Sequence, residues 1–158
     1  MKARLVGTFA VLGALAGCGI SDGSPKDLTT FNFTIRELPD SLSWTQVPIK
    51  LIVTTETQSP CLTHALKGDV GFGQDVVAVE LSSIEMPDDG CIPSDGPAEF
   101  SYPLGFGPVR VGNPFYLTFE RSGELDRYLV IVSATAIDIA PLRSAFTHPI
   151  ARRIPRGG

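Results

Sequence analysis

The residues that could do chemistry in this chain are few: three cysteines, Cys18, Cys61 and Cys91, two histidines, His64 and His148, and scattered acids. His64 follows Cys61 at C-x₂-H spacing with Asp69 nearby. Such a pair can open a metal site, but no second pair at ligand spacing completes it. The G-x-S-x-G order occurs at Gly19-Ile20-Ser21-Asp22-Gly23, but inside the Gly-, Ser- and Pro-rich stretch after Cys18 and not between a strand and a helix, the setting a nucleophile elbow needs. Glu80, Glu85, Asp88 and Asp89 offer the carboxylates that glycoside hydrolysis pairs. They fall on an outward strand face and in a turn, where acids are normally solvated. Asp88-Asp89-Gly90 and Asp95-Gly96 hint at a calcium loop but do not follow its D-x-[DN]-x-[DN]-G order, and turn chemistry accounts for them. Gly105-Phe106-Gly107 is followed by Pro108, which lacks the amide a phosphate-cradling loop would use. The expectation is a chain that is not an enzyme, with no cofactor and no metal.

Cys18 has a different setting. Lys2 and Arg4 precede an uncharged apolar run from Leu5 to Ala16. That run is shorter than the roughly 20 residues needed to cross a bilayer, and small residues follow it, which is the layout of a secretory leader. At the expected cleavage point stands Leu15-Ala16-Gly17-Cys18. This tetrapeptide resembles the lipobox of bacterial lipoproteins at every position. The resemblance implies cleavage between Gly17 and Cys18, and diacylglyceryl attachment to the Cys18 sulfur. It also implies residence in a bacterial cell envelope, tethered to membrane lipid. Where an outer membrane exists, Gly19 in place of an Asp after the lipidated cysteine leans towards that membrane, facing the periplasm or the surface. Two or more acyl chains, at about 0.8 kcal/mol per buried CH₂, hold such a chain stably where one would be marginal.

With Cys18 assigned to lipid, Cys61 and Cys91 remain as a pair in an oxidising compartment, where disulfides persist. A bridge between them would close a loop of about 30 residues and stabilise the fold by about 3–4 kcal/mol on the loop-entropy account. Taking residues 1–17 from the 158 leaves 141, the size of a single domain. Loss of Lys2 and Arg4 moves the formal charge from −4 to −6. A nucleic-acid partner is therefore not expected, because such proteins carry a basic excess.

Behind the leader, residues 18–28 read as a tether of Gly, Ser, Pro and charge with little to bury. Residues 29–140 carry strand patterning. Phe31, Phe33 and Ile35 alternate with polar neighbours, as do Ile49, Leu51 and Val53, then Val77, Val79 and Leu81. Period-two alternation places each set on one sheet face. Further strands follow at Ala98–Leu104, Val109–Val111, Phe115–Arg121 and Tyr128–Ala136, the last being apolar on both faces and paired with its predecessor as a hairpin. A single helical turn fits Cys61–Lys67, and Pro87–Pro97 reads as a loop. Trp44, between the first two strands, is expected to cap the core. After Ile139 the pattern fades, and residues 141–158, with Pro141, Pro149, Pro155 and a basic end at Arg152, Arg153 and Arg156, read as a solvated basic tail.

About seven alternating strands predict an all-β domain, an immunoglobulin-like antiparallel β-sandwich, with a small β-barrel as the alternative. The expected function is that of a lipid-anchored module that touches a protein partner in the envelope through its loops, with 58–73 and 87–97 as the candidates. The alternative is a carrier that holds a small apolar ligand among Phe31, Phe33, Phe100, Phe115 and Phe119.

Overall fold

The computed structural model describes residues 30–38, 49–85, 90–105 and 107–156; Gly17, Cys18, the tether, Trp44, Asp88 and Asp89 lie outside them. The domain is all β. Ten strands follow in order: β1 (Phe31–Glu37), β2 (Ile49–Cys61), β3 (Ala65–Phe72), β4 (Val76–Glu85), β5 (Pro93–Pro103), β6 (Pro114–Arg121), β7 (Glu124–Val132), β8 (Ala136–Arg143), β9 (Thr147–Pro149) and β10 (Arg153–Pro155). They pair in the order β10-β8-β7-β6-β4-β3-β5-β2-β1-β9 as one curled sheet, a half-barrel.

Alternation sets the inner face. Phe31, Phe33 and Ile35 of β1, Leu51 and Val53 of β2, Val77 and Val79 of β4, and Phe115, Leu117 and Phe119 of β6 are all buried. Each large apolar side chain contributes about 1.5–3 kcal/mol on full burial. The curl brings distant strands together. Phe33 of β1 meets Phe119 of β6 at 4.9 Å and Tyr128 of β7 at 4.8 Å between ring centroids.

Along β3 and β5 the sheet is thinly joined. Ala65↔Glu99 is the pairing between them, and the rest of β3 bonds to β4. Phe100 and Tyr102 point towards the core at this seam, yet stay only half buried.

The chain departs from its sequence reading in several places. The expected helical turn at Cys61–Lys67 is a tight turn at Leu62–Thr63, after which β3 begins at once. Residues 93–97 of the expected loop belong to β5, because they continue the ladder with β2. Val109–Val111 is no strand; Arg110 makes an isolated bridge to Asn113. The strand expected to run from Tyr128 to Ala136 stops at Val132, and Ser133–Thr135 turn the chain into β8.

The largest departure is the C-terminal segment. It is not a solvated tail. β9 pairs in parallel with β1 and β10 pairs antiparallel with β8, so residues 147–156 run between the two edges of the sheet. The Ile150 amide donates to the Phe33 carbonyl at 2.8 Å, and the Ile139 amide donates to the Arg152 carbonyl at 2.7 Å. Pro149 and Pro155 sit in the edge strands β9 and β10, which need no donor on their open side, and Pro141 lies at the register shift between β8 and β7.

Candidate functional site

Of the loop regions singled out from sequence, residues 58–64 and 90–97 form one projecting arm, while residues 65–72 are β3. β2 and β5 pair through two irregularities, between Thr54 and Gln58 and between Ser59 and Cys61. The first is filled by the buried Thr55 hydroxyl, which accepts from the Ala98 amide at 3.0 Å and donates to the Thr57 carbonyl at 2.7 Å. At the arm's end Cys61 and Cys91 lie at disulfide distance, their Cα atoms 5.3 Å apart. The Thr63 hydroxyl donates to the Gly90 carbonyl at 3.1 Å, and the Leu62 amide donates to the Ile92 carbonyl at 3.1 Å. This framework holds two large apolar side chains in solvent, Leu62 at 52% and Ile92 at 55% exposure.

His64 stands beside this arm, half buried, with its Nδ1 hydrogen-bonded to the hydroxyl of buried Ser59. A hydroxyl and an imidazole are therefore together. Among the described residues no carboxylate is bonded to that imidazole, and Ser59 is buried, so the pair fits a local brace on the turn. His148 lies exposed on β9, opposite Asn32.

The acids separate. Glu85 pairs with Lys67, both about half exposed. Glu80 faces outward between Asp69 of β3 and Glu120 of β6, to which register joins it directly. These three line a shallow groove of about 350 Å³ with Val70, Ala78 and Thr118. Like charges directly opposite on neighbouring strands repel, so this row costs stability and makes the outer face negative. Among the described residues no group of three or more His, Cys, Asp or Glu is placed to hold a metal ion.

A second depression lies at the other end of the sheet from the β2–β5 arm tip. Gln74 and Asp75 of the β3–β4 turn, Arg110 and Asn113 of the turn before β6, and Gly107, Pro108 and Pro114 enclose about 430 Å³. Backbone bonds fix its walls. The Gly73 amide donates to the Val76 carbonyl at 2.8 Å, the Tyr116 amide to Asp75 at 2.7 Å, and the Gly112 amide to Val132 at 2.8 Å. Gly107 has φ +71°, and a Cβ there would press on the Phe72 ring, so this wall requires glycine.

No known protein family, curated protein or solved structure matches this chain.

One charged centre escaped the sequence reading. Asp126, the first inward residue of β7, is fully buried. Its carboxylate accepts from the amides of Ala145 at 2.6 Å, Phe146 at 2.9 Å and Thr147 at 2.7 Å, and from the Thr147 hydroxyl at 2.7 Å. Tyr128 adds its hydroxyl to the Thr147 carbonyl. Burial raises the Tyr128 phenol above its ordinary range; the bond to Thr147 opposes that rise and the Asp126 charge adds to it. Asp126 stood in the sequence as one more polar residue of a hairpin loop. Its only signal was its place, two residues before Tyr128, in phase with the inward set. The centre is structural: it clamps the turn from which β9 departs.

Proposed function

We propose that this chain is a lipid-anchored protein of a bacterial envelope whose β domain acts by touching another protein and not by catalysis. The observation that carries the reading is polarity. Thr30, where the described chain begins, lies beside Glu56, at the end of the sheet from which the arm projects, while the polar cleft around Arg110 lies at the opposite end. A lipid on Cys18 would hold the first end near the membrane and turn the second outward.

The cleft's chemistry suits a protein partner. Asp75 and Arg110 supply both charges, and Gln74 and Asn113 supply amides that donate and accept, the set a polypeptide backbone satisfies. The Cys61–Cys91 distance supports a bridge, and through it an oxidising compartment. The single pairing at Ala65↔Glu99 supports a finer reading of the curled sheet as a two-layer, immunoglobulin-like sandwich, β9-β1-β2-β5 facing β3-β4-β6-β7-β8-β10. Ring contacts among Phe33, Phe119 and Tyr128 occupy the interior that an apolar carrier would need empty.

The test uses the full chain in living bacteria, with a photo-crosslinking residue in place of Arg110. A discrete protein adduct from position 110, weakened by Asp75→Lys, is expected. An adduct-free chain at native abundance would count against the contact role. Feeding labelled palmitate checks the anchor, since an unlabelled product that keeps its leader overturns it.

A further inference from the structure

The end of the domain near Thr30 carries a feature the protein-contact role does not use. The Thr30 carbonyl accepts from the Glu56 amide at 3.2 Å, and β2 continues five residues past Glu56 to Cys61. At about 3.3 Å per residue, less the irregularities, the arm reaches about 15 Å beyond Thr30. Leu62 and Ile92 crown it, each more than half exposed. They are held by the Leu62–Ile92 backbone bond, by the Thr63 hydroxyl to the Gly90 carbonyl, and by the Cys61–Cys91 contact.

Exposed leucine and isoleucine on a braced tip are not explained by folding. Leu62 leans over Gly96, yet both side chains keep more than half of their surface in water, and a brace that holds them there suits a contact outside the domain. We infer that the Leu62–Ile92 tip seats in the lipid bilayer that carries the Cys18 anchor. The inference rests on the lipid-anchor reading above. Eleven residues separate Cys18 from Thr30. A chain of that length reaches at most about 40 Å, so the tip's projection of about 15 Å falls within the tether's range. Two side chains make a patch far below the roughly 800 Å² per partner of a stable protein interface. For a surface already tethered at high effective concentration, that patch is enough. A second, shallow membrane contact would fix the domain's orientation and hold the Arg110 cleft outward.

The experiment uses lipidated full-length chain, purified from bacteria and reconstituted in phosphatidylethanolamine–phosphatidylglycerol vesicles with brominated acyl chains. Tryptophan is placed at position 62, 92 or 111, one at a time, in a Trp44→Phe background. Val111 is 53% exposed and lies at the far end, so it serves as the control. Quenching at 62 and 92 but not at 111 is expected. Leu62→Asn in the Ile92→Trp chain should lower the ratio of docked to undocked tip about tenfold, equivalent to about 1.4 kcal/mol. A chain that floats with the vesicles and carries lipid, yet shows no quenching at 62 or 92, overturns the docking and leaves the anchor standing. A chain without lipid that fails to float overturns both. A photo-crosslinker at position 62 that yields a protein adduct in cells, whether to a second copy or to another polypeptide, in place of a lipid adduct, also overturns it.

Discussion

Asp126 shows how a single side chain can hold an element that its sequence neighbourhood does not suggest. A carboxylate offers acceptors only, and four donors converge on it from residues 145–147. Asp126→Asn keeps the shape and exchanges one acceptor oxygen for a donor that faces the Ala145, Phe146 and Thr147 amides. The expected loss is about 3 kcal/mol, since bonds to charged groups exceed neutral ones and buried donors are left unmet. A urea midpoint shift at unchanged m-value measures it, and a midpoint like the parent's would deny the clamp. Tyr128 makes a second, pH-dependent prediction. Its folded-state pKa is raised, chiefly by burial, above the ordinary value of 10.0. Above about pH 10 the unfolded chain therefore gives up this proton before the folded chain does, and stability falls as pH rises. Below that point the contribution is constant. Tyr128→Phe should flatten the alkaline slope in a series of denaturation curves, and a slope equal to the parent's would deny the raised phenol.

At the scale of elements, period-two patterning made β1, β4 and the β6–β7 hairpin legible, because a sheet with one wet face forces alternation. The inward triplets Phe31-Phe33-Ile35 and Phe115-Leu117-Phe119 stand where alternation puts them. The arm was not legible for a stated reason. β2 and β5 break register twice, and past Thr55 the buried positions of β2 are Ser59 and Cys61, small or polar residues that carry no apolar alternation, so the segment from Gln58 read as irregular and Cys61 as the start of a helical turn. What replaces the missing ladder bonds is a side chain. Thr55→Val is nearly isosteric and removes the hydroxyl, leaving the buried Ala98 amide without its acceptor. The expected cost is about 1–3 kcal/mol. Amide hydrogen exchange should speed at Ala98 and along residues 55–61 and stay unchanged in β6 and β7. Uniform acceleration over the whole sheet would mean that the arm is not an independent unit. The candidate site was only partly visible for a related reason. Register, which sequence does not show, is what lines up Asp69, Glu80 and Glu120, and the tight turn at Leu62–Thr63 is what carries His64 to Ser59.

For the whole molecule the decisive element is the segment that sequence patterning dismissed. Its strands are three residues each, too short for alternation to register, and prolines at 149 and 155 imitate a tail. Yet it closes the fold at both edges. Phe146 is buried with Arg121 above its ring at 4.6 Å, and Thr147 is fully buried. At the far end Arg156 donates to Glu37 at 2.5 Å and to the Ser133 carbonyl at 2.6 Å, which ties β1 to the β7–β8 turn. A chain that ends after Ser144 would lose all of this. It would uncover the Phe31 face of β1, strand the Asp126 carboxylate without its donors, and leave two sheet edges open. A fully buried carboxylate left alone costs more than most domains can spare. The truncated chain should therefore lose its cooperative unfolding transition and its near-ultraviolet aromatic signal. Arg156→Ala in the intact chain should cost only about 1–3 kcal/mol, the scale of one charge-assisted contact. If instead the truncated chain unfolds with the parent's midpoint and slope, residues 145–158 are an ornament on a fold complete without them. The curled sheet would then have to be held by the core of β1 to β8, with the ring contacts of Phe33, Phe119 and Tyr128 at its centre.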